Sequence, residues 1–164
     1  MSETPFDRLA EHVDSAMHVV TTAAEGEHGG CLVGFATQCS IEPTRFLVCL
    51  SKANRTFAIA SRAETLVVHA LYEQDHALAK LFGEETESDD AVDKFDSCEW
   101  SAGPGGAPVI DGCDWFAGNI RDRVELGDHM GFVLDVTELG EAARVEEPRL
   151  GFQGVRDLDA GNPA

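Results

Sequence analysis

Residues 31–56, CLVGFATQCSIEPTRFLVCLSKANRT, constrain the fold more than any other stretch. They read as strand, polar turn, strand and helix start. CLVGFAT is apolar and β-rich, and RFLVCL is a second apolar run of strand length. QCSIEPT between them is expected as a loop, because Pro43 bars a continuous ladder. Gly34 inside the first strand marks a bulge or a close ligand approach. SKANRT then gathers Ser51, Lys52, Asn54, Arg55 and Thr56 where strand gives way to helix, with Asn54 as the cap of FAIASRA. Two fixed cations, two hydroxyls and free backbone N–H groups at one point suit a phosphate. This is the one strongly basic point in a chain of formal net charge −18.

The rest of the composition narrows the function. A length of 164 residues suits one domain, 1–164, with an N-terminal helix over 4–14 and a frayed tail over 159–164. Thirty acidic residues against 12 basic ones argue against nucleic acid or anionic membrane as partners. There is no apolar run of about 18 residues, so no membrane span is expected. The acidic, amphipathic N-terminus is unlike a signal peptide, which points to the cytoplasm. Five cysteines without a C-x-x-C pair fit free thiols in a reducing compartment.

In chain order, Thr4, Pro5 and Asp7 open the first helix, and Phe6, Leu9, Ala10 and Val13 form its apolar face. Residues 16–24 are a strand, EGEHGG a turn, and CLVGFAT the returning strand. TLVVHAL is another strand. EQDHALAKLFG is a helix that turns Ala77, Leu78, Leu81 and Phe82 inward and ends at Gly83. EETESDD reads as a solvated loop or a lid, DAVDKF as a helical turn, and SAGPGGAP as a surface loop. Residues 113–126 form a long strand with Phe116, Gly118, Ile120, Val124 and Leu126 on one face. Asp122 interrupts that face, consistent with a bend. GDH is the turn, MGFVLDVTEL the returning strand, and RLGFQGVRDL a last short strand. Hairpins with inserted helices disfavour a doubly wound sheet. The expected fold is mainly β with flanking helices, a closed, Greek-key-like antiparallel barrel.

Motifs for other chemistries are missing from the sequence. The six histidines make no H-x-H or H-E-x-x-H pair, so no metal is expected. There is no G-x-S-x-G, no phosphate-binding G-x-x-x-x-G-K-[ST], and no G-x-G-x-x-G opening a helix after a strand. Any nicotinamide would bind without a Rossmann half.

GFATQCSIEP followed by LVCLSKANRT resembles the flavin-binding segment of the flavin reductase-like family, whose fold is the FMN-binding split barrel. HALYEQDHALAKLFG, DKFDSCEWSAGPGGAPVIDGCDWF, GDHM at 127–130 and RLGFQGVRDLD extend the resemblance over roughly residues 10–160. It implies FMN or FAD, with NADH or NADPH as donor. Gly34, Phe35, Ala36, Thr37, Gln38 and Cys39 would line the flavin ring, with Cys49 and Leu50 beside them. Ser40 would meet the ribityl chain, and Ser51, Lys52, Asn54, Arg55 and Thr56 the phosphate. His129, oriented by Asp128, would contact the nicotinamide, and Phe152 and Arg156 would close over it. A homodimer with flavin near its interface is also implied.

The reaction implied is hydride transfer from NAD(P)H to flavin, which would then diffuse to a partner monooxygenase. Two rival readings stand beside it. One is a flavoprotein that keeps FMN tightly and reduces another acceptor. The other is a flavin-binding module without turnover.

Overall fold

The computed structural model describes residues 2–84, 93–141 and 143–158. Expectations for residues 85–92 of the acidic run and for the tail 159–164 lie outside them. The α-helices are α1 (Pro5–Ala10), α2 (Arg55–Ala60) and α3 (His76–Glu84). The strands are β1 (His18–Ala24), β2 (Glu27–Val33), β3 (Ala36–Ser40), β4 (Arg45–Ser51), β5 (Thr65–Ala70), β6 (Trp100–Ala102), β7 (Pro108–Ile110), β8 (Asp114–Glu125) and β9 (His129–Leu139).

Seven strands make one sheet in the order β2-β1-β5-β8-β9-β4-β3, with every neighbouring pair antiparallel. The two outermost strands, β2 and β3, are consecutive in sequence and are joined only by Gly34 and Phe35. A seven-stranded sheet with edges two residues apart must curl back on itself. The ladder stays open at that seam, so the barrel is split rather than closed.

Curling gives the sheet two apolar faces. Val20, Val48, Leu50, Leu66, Val68, Phe132 and Leu134 fill the interior. On the outside, Val19, Leu71 and Phe95 pack with Ala79 and Phe82 of α3 and Leu150 of the C-terminal segment. Val19 and Val20 therefore serve different cores, as alternation along a strand requires. Central β5 is buried on both faces, which is why TLVVHAL is a continuous apolar run.

Several local expectations are corrected. Residues 38–40 are not loop but the end of β3, and the turn is confined to residues 41–44 around Pro43. The first turn shrinks to Glu25 and Gly26, and the next four residues, 27–30, join β2. CLVGFAT is two strands, because Gly34 bends the chain from one sheet edge to the other. α1 is shorter than expected, although its Thr4–Asp7 capping box forms. Its apolar face is uncovered: Phe6, Leu9 and Val13 are 72%, 66% and 52% exposed. On α3, Ala79 takes the inward position and Ala77 is exposed. SAGPGGAP carries the small β6–β7 hairpin. RLGFQGVRDL holds isolated bridges and a short 3₁₀ turn instead of a strand. The bend expected at Asp122 is a register shift between Ile120 and Asp122, beyond which Val124 and Leu126 face solvent.

Asp114 ties the C-terminal segment to the barrel. Its carboxylate accepts the Tyr72 hydroxyl at 2.7 Å and the backbone N–H groups of Ala143 and Arg144, each at 3.0 Å. Arg144 stacks on Tyr72 at 4.6 Å and pairs with Asp75. Leu150 then bonds Leu71 and Met17 through the backbone, and Phe152 bonds Ser15. Replacing Asp114 by Ala leaves three donors unmatched at a site 7% exposed. The expected loss is about 3 kcal/mol, the scale of a buried network with a charged acceptor. Urea denaturation of Asp114→Ala measures it, and an unchanged midpoint contradicts the role.

Candidate active site

A cavity of about 540 Å³ lies where Gly34 and Phe35 bridge the seam. That volume lies within the range of small-molecule sites. Its wall takes in the end of β2 with Gly34 and Phe35, and beside them Cys49, Leu50 and Ser51 of β4 with Asn54. Asp128 and His129 stand at one side. Met17, Phe82, Gly83, Phe152, Val155 and Leu158 supply the apolar remainder.

The polar side is built by register. Ser51 pairs with His129 across β4 and β9. The Lys52 backbone N–H donates to the Asp128 carbonyl at 2.9 Å, and the Leu126 N–H to the His129 carbonyl at 3.2 Å. Gly127 takes φ +131°, so the GDH turn uses a conformation that disfavours side chains. The His129 Nδ1 lies 2.8 Å from the Asp128 carboxylate, and donation there leaves Nε2 for another partner. That hydrogen bond, then the charge of His129, holds the Asp128 carboxyl below the usual carboxylate range. The Phe35 ring stands 5.0 Å from the His129 ring and is 64% exposed, making an aromatic pair at the cavity edge. The Phe35 carbonyl accepts the Cys49 N–H at 2.9 Å, which fixes the seam against β4. Burial pushes the Cys49 thiol up, so it is a neutral wall group.

The strand-to-helix corner differs from its reading in sequence. Asn54 caps α2, its side chain accepting the Thr56 N–H at 2.9 Å. The N–H groups expected to be free are used inside the turn: Ala53 donates to Ser51 Oγ and Asn54 to the Ser51 carbonyl. Lys52 is paired with Glu125. This contact holds the Glu125 carboxyl below its usual range. Arg55 meets Glu27 at 3.4 Å and the His28 carbonyl at 3.5 Å. Arg62 spans Glu25 and Glu27. Around this corner Lys52, Arg55 and Arg62 thus face Glu25, Glu27, Glu125 and Asp128, so it is not basic overall. Thr56 is 1% exposed, and its Oγ1 is buried with no hydrogen-bond partner among the described residues.

The structure therefore brings together Gly34, Phe35, Cys49, Leu50, Ser51, Asn54, Asp128, His129 and Phe152 of the sequence candidates. Lys52, Arg55 and Thr56 sit beside the cavity rather than in its wall. Ala36, Thr37, Gln38, Cys39 and Ser40 run along the outer strand, where Thr37–Cys39 are exposed. Arg156 is also exposed and bonds Gln153 at 2.9 Å. Met17, Cys31, Leu32, Val33, Phe82, Gly83, Val155 and Leu158 were not among the candidates. Phe82 carried a signal, helical periodicity, but that signal speaks only for burial. Among the described residues no three His, Cys, Asp or Glu side chains come together as a metal site, and no helix is long and apolar enough to cross a membrane.

The donor set fits a flavin. The wall is apolar enough for a fused ring, Gly34 leaves it open, and the polar end carries a hydroxyl, an amide and two nearby cations.

The family model described as flavin reductase like domain matches residues 10–158. Among curated relatives, FMN reductase (NADH) RutF of Methylorubrum extorquens is 32% identical over 116 residues, covering 70% of this chain and 55% of its own. RutF of Klebsiella pneumoniae is 29% identical over 125 residues, covering 76% and 74%. The chain spans about half the length of several curated relatives, including 51% of the stachydrine N-demethylase reductase subunit Stc3 of Rhizobium meliloti. Among solved structures, NADH:FAD oxidoreductase SgcE6 of Streptomyces globisporus C-1027 superposes with a TM-score of 0.78 at 25% identity, covering 92% of this chain and 90% of its own.

Proposed function

The chain belongs to the flavin reductase like domain family, and from that premise we propose that it is an NAD(P)H-dependent flavin reductase acting on FMN or FAD. The observation that carries this reading is the meeting of the seam cavity with the GDH turn, His129 beside Phe35 at its edge. A bound flavin would supply the acceptor, its N5, for the hydride leaving C4 of the nicotinamide.

The chain's own residues bind and orient. Gly34, Phe35, Cys49 and Leu50 flank the ring and exclude water from one side. Ser51 and Asn54 face the polar end, with Lys52 and Arg55 as the phosphate's cations. His129 positions the nicotinamide, and Asp128 fixes which ring nitrogen it offers. Phe152 closes the apolar side. Residues 37–40, on the outer strand, lie outside the cavity wall. Holding two rings in one cleft is the protein's main contribution to rate.

The exposed apolar face of α1, with Phe6, Leu9 and Val13, supports a homodimer, since an uncovered apolar helix face calls for a cover. The five cysteines are free thiols, which supports a reducing compartment. The reduced flavin would be passed by diffusion to a monooxygenase.

His129→Ala tests the assignment. The KM for NADH should rise about tenfold, the scale of one lost hydrogen bond with its ring contact. The Kd for FMN should stay within about twofold. A variant that loses FMN affinity and keeps its KM for NADH contradicts the role.

A further inference from the structure

We propose that Glu125 and Glu27 set the flavin's affinity by occupying the cations that its phosphate needs, so that flavin exchanges as a substrate. The inference rests on Lys52 and Arg55 being the phosphate's partners. Neither glutamate is among the residues that the sequence singled out for the site.

Lys52 Nζ is held by Glu125, which reaches it from the end of β8. Arg55 Nη2 is held by Glu27 at 3.4 Å, from the start of β2. Arg62 does not relieve the corner, because it already pairs with Glu25 and shares Glu27. Asp128 also lies in the field of Lys52. An arriving phosphate therefore finds each cation with a carboxylate in place, in a corner where carboxylates outnumber cations. It must displace Glu125 and Glu27 or share their partners, and in either case it meets like charge.

These pairs can yield. The Lys52 and Glu125 side chains are 33% and 65% exposed, and those of Arg55 and Glu27 are 43% and 49% exposed. Exposed ion pairs are weak, so a phosphate can compete for their cations, but at a net loss of affinity. Neutralising the acids should return that loss. Riboflavin has the same ring and no phosphate, so it should not notice.

The test is binding, read as quenching of flavin fluorescence, for FMN and riboflavin with the whole chain. Glu125→Gln and Glu27→Gln should each tighten FMN about threefold to fivefold, and the double variant about tenfold, the range exposed pairs span. FMN dissociation should slow in step, and the riboflavin Kd should not move. Lys52→Met is the companion variant and should weaken FMN relative to riboflavin. If Lys52→Met weakens FMN while the glutamine variants leave it unchanged or weaker, the gating role is overturned and the phosphate site stands. If none of the variants changes the ratio of FMN to riboflavin affinity, the phosphate does not bind at this corner and both assignments are overturned.

Discussion

Lowering the pH from about 6.5 to about 4 removes on the order of 3 kcal/mol of stability for each of two buried histidines, His18 and His69. Burial pushes both down to about 4, with the Arg149 charge adding to the effect at His18. His69 is fully buried; it donates from Nδ1 to the Val19 carbonyl at 2.9 Å and accepts the Ile110 N–H on Nε2 at 3.0 Å. A proton on Nε2 would replace that acceptor with a donor facing a donor. His18 accepts from Arg149 at 3.3 Å, and its buried Nδ1 has no partner among the described residues.

The direction follows from proton uptake. Between the folded value near 4 and an unfolded value near 6.5, the unfolded chain binds more protons. Stability is therefore complete above about 6.5 and falls with pH through this window. Paired carboxylates such as Glu125, Asp128 and Asp135, held below their usual range, add their loss at still lower pH. Urea midpoints between pH 7 and 4.5 should decline steeply. A flat profile over that interval contradicts the burial of these two rings as neutral groups.

Gly34→Leu should weaken FMN binding about 100-fold without unfolding the chain, because overpacking a formed site costs on the order of 1–3 kcal/mol. Gly34 is the bend that carries the chain from β2 to β3, and it lies in the cavity wall. A Cβ there meets only Met17 Sδ at 3.3 Å and Cε at 3.4 Å, the flexible end of another cavity residue. The backbone at Gly34 is not in the left-handed region, so strain does not oppose the substitution. The added side chain competes for the flavin's space. Thermal unfolding and FMN titration read the two consequences separately. A variant that folds and binds FMN within about twofold of the parent removes the cavity from the flavin's path.

What the sequence could and could not carry is clear from particular residues. Local signals held: the Thr4–Asp7 box and the Asn54 cap depend only on residues within a few positions. The apolar run of β5 and the GDH turn were likewise visible, because periodicity and a turn glycine are local properties. The seam was not visible. CLVGFAT is apolar throughout, and only the topology reveals that Gly34 joins opposite edges of the sheet.

The charge at the corner was misread for a similar reason. Lys52 and Arg55 stand close together in sequence, whereas Glu125 reaches Lys52 from 73 residues away and Glu27 reaches Arg55 from 28 residues before it. A cluster of like charge in sequence says nothing about what the fold sets against it. The apolar side of the cavity comes from α3 and the C-terminal segment, where Phe82 and Val155 look like ordinary core residues and only Phe152 was suggested, by the family resemblance. The two backbone partners of His69, Val19 and Ile110, lie 50 and 41 residues away in sequence, so its buried hydrogen bonds had no local signal.

The decisive experiment is oxidation of NADH and NADPH by the purified chain as FMN is titrated from none to excess. Oxidation that is negligible without FMN and rises to saturation with it is the outcome this site demands. FMN that binds without promoting oxidation of either nicotinamide, at any flavin concentration, would mean that the cavity holds flavin for some purpose other than its reduction.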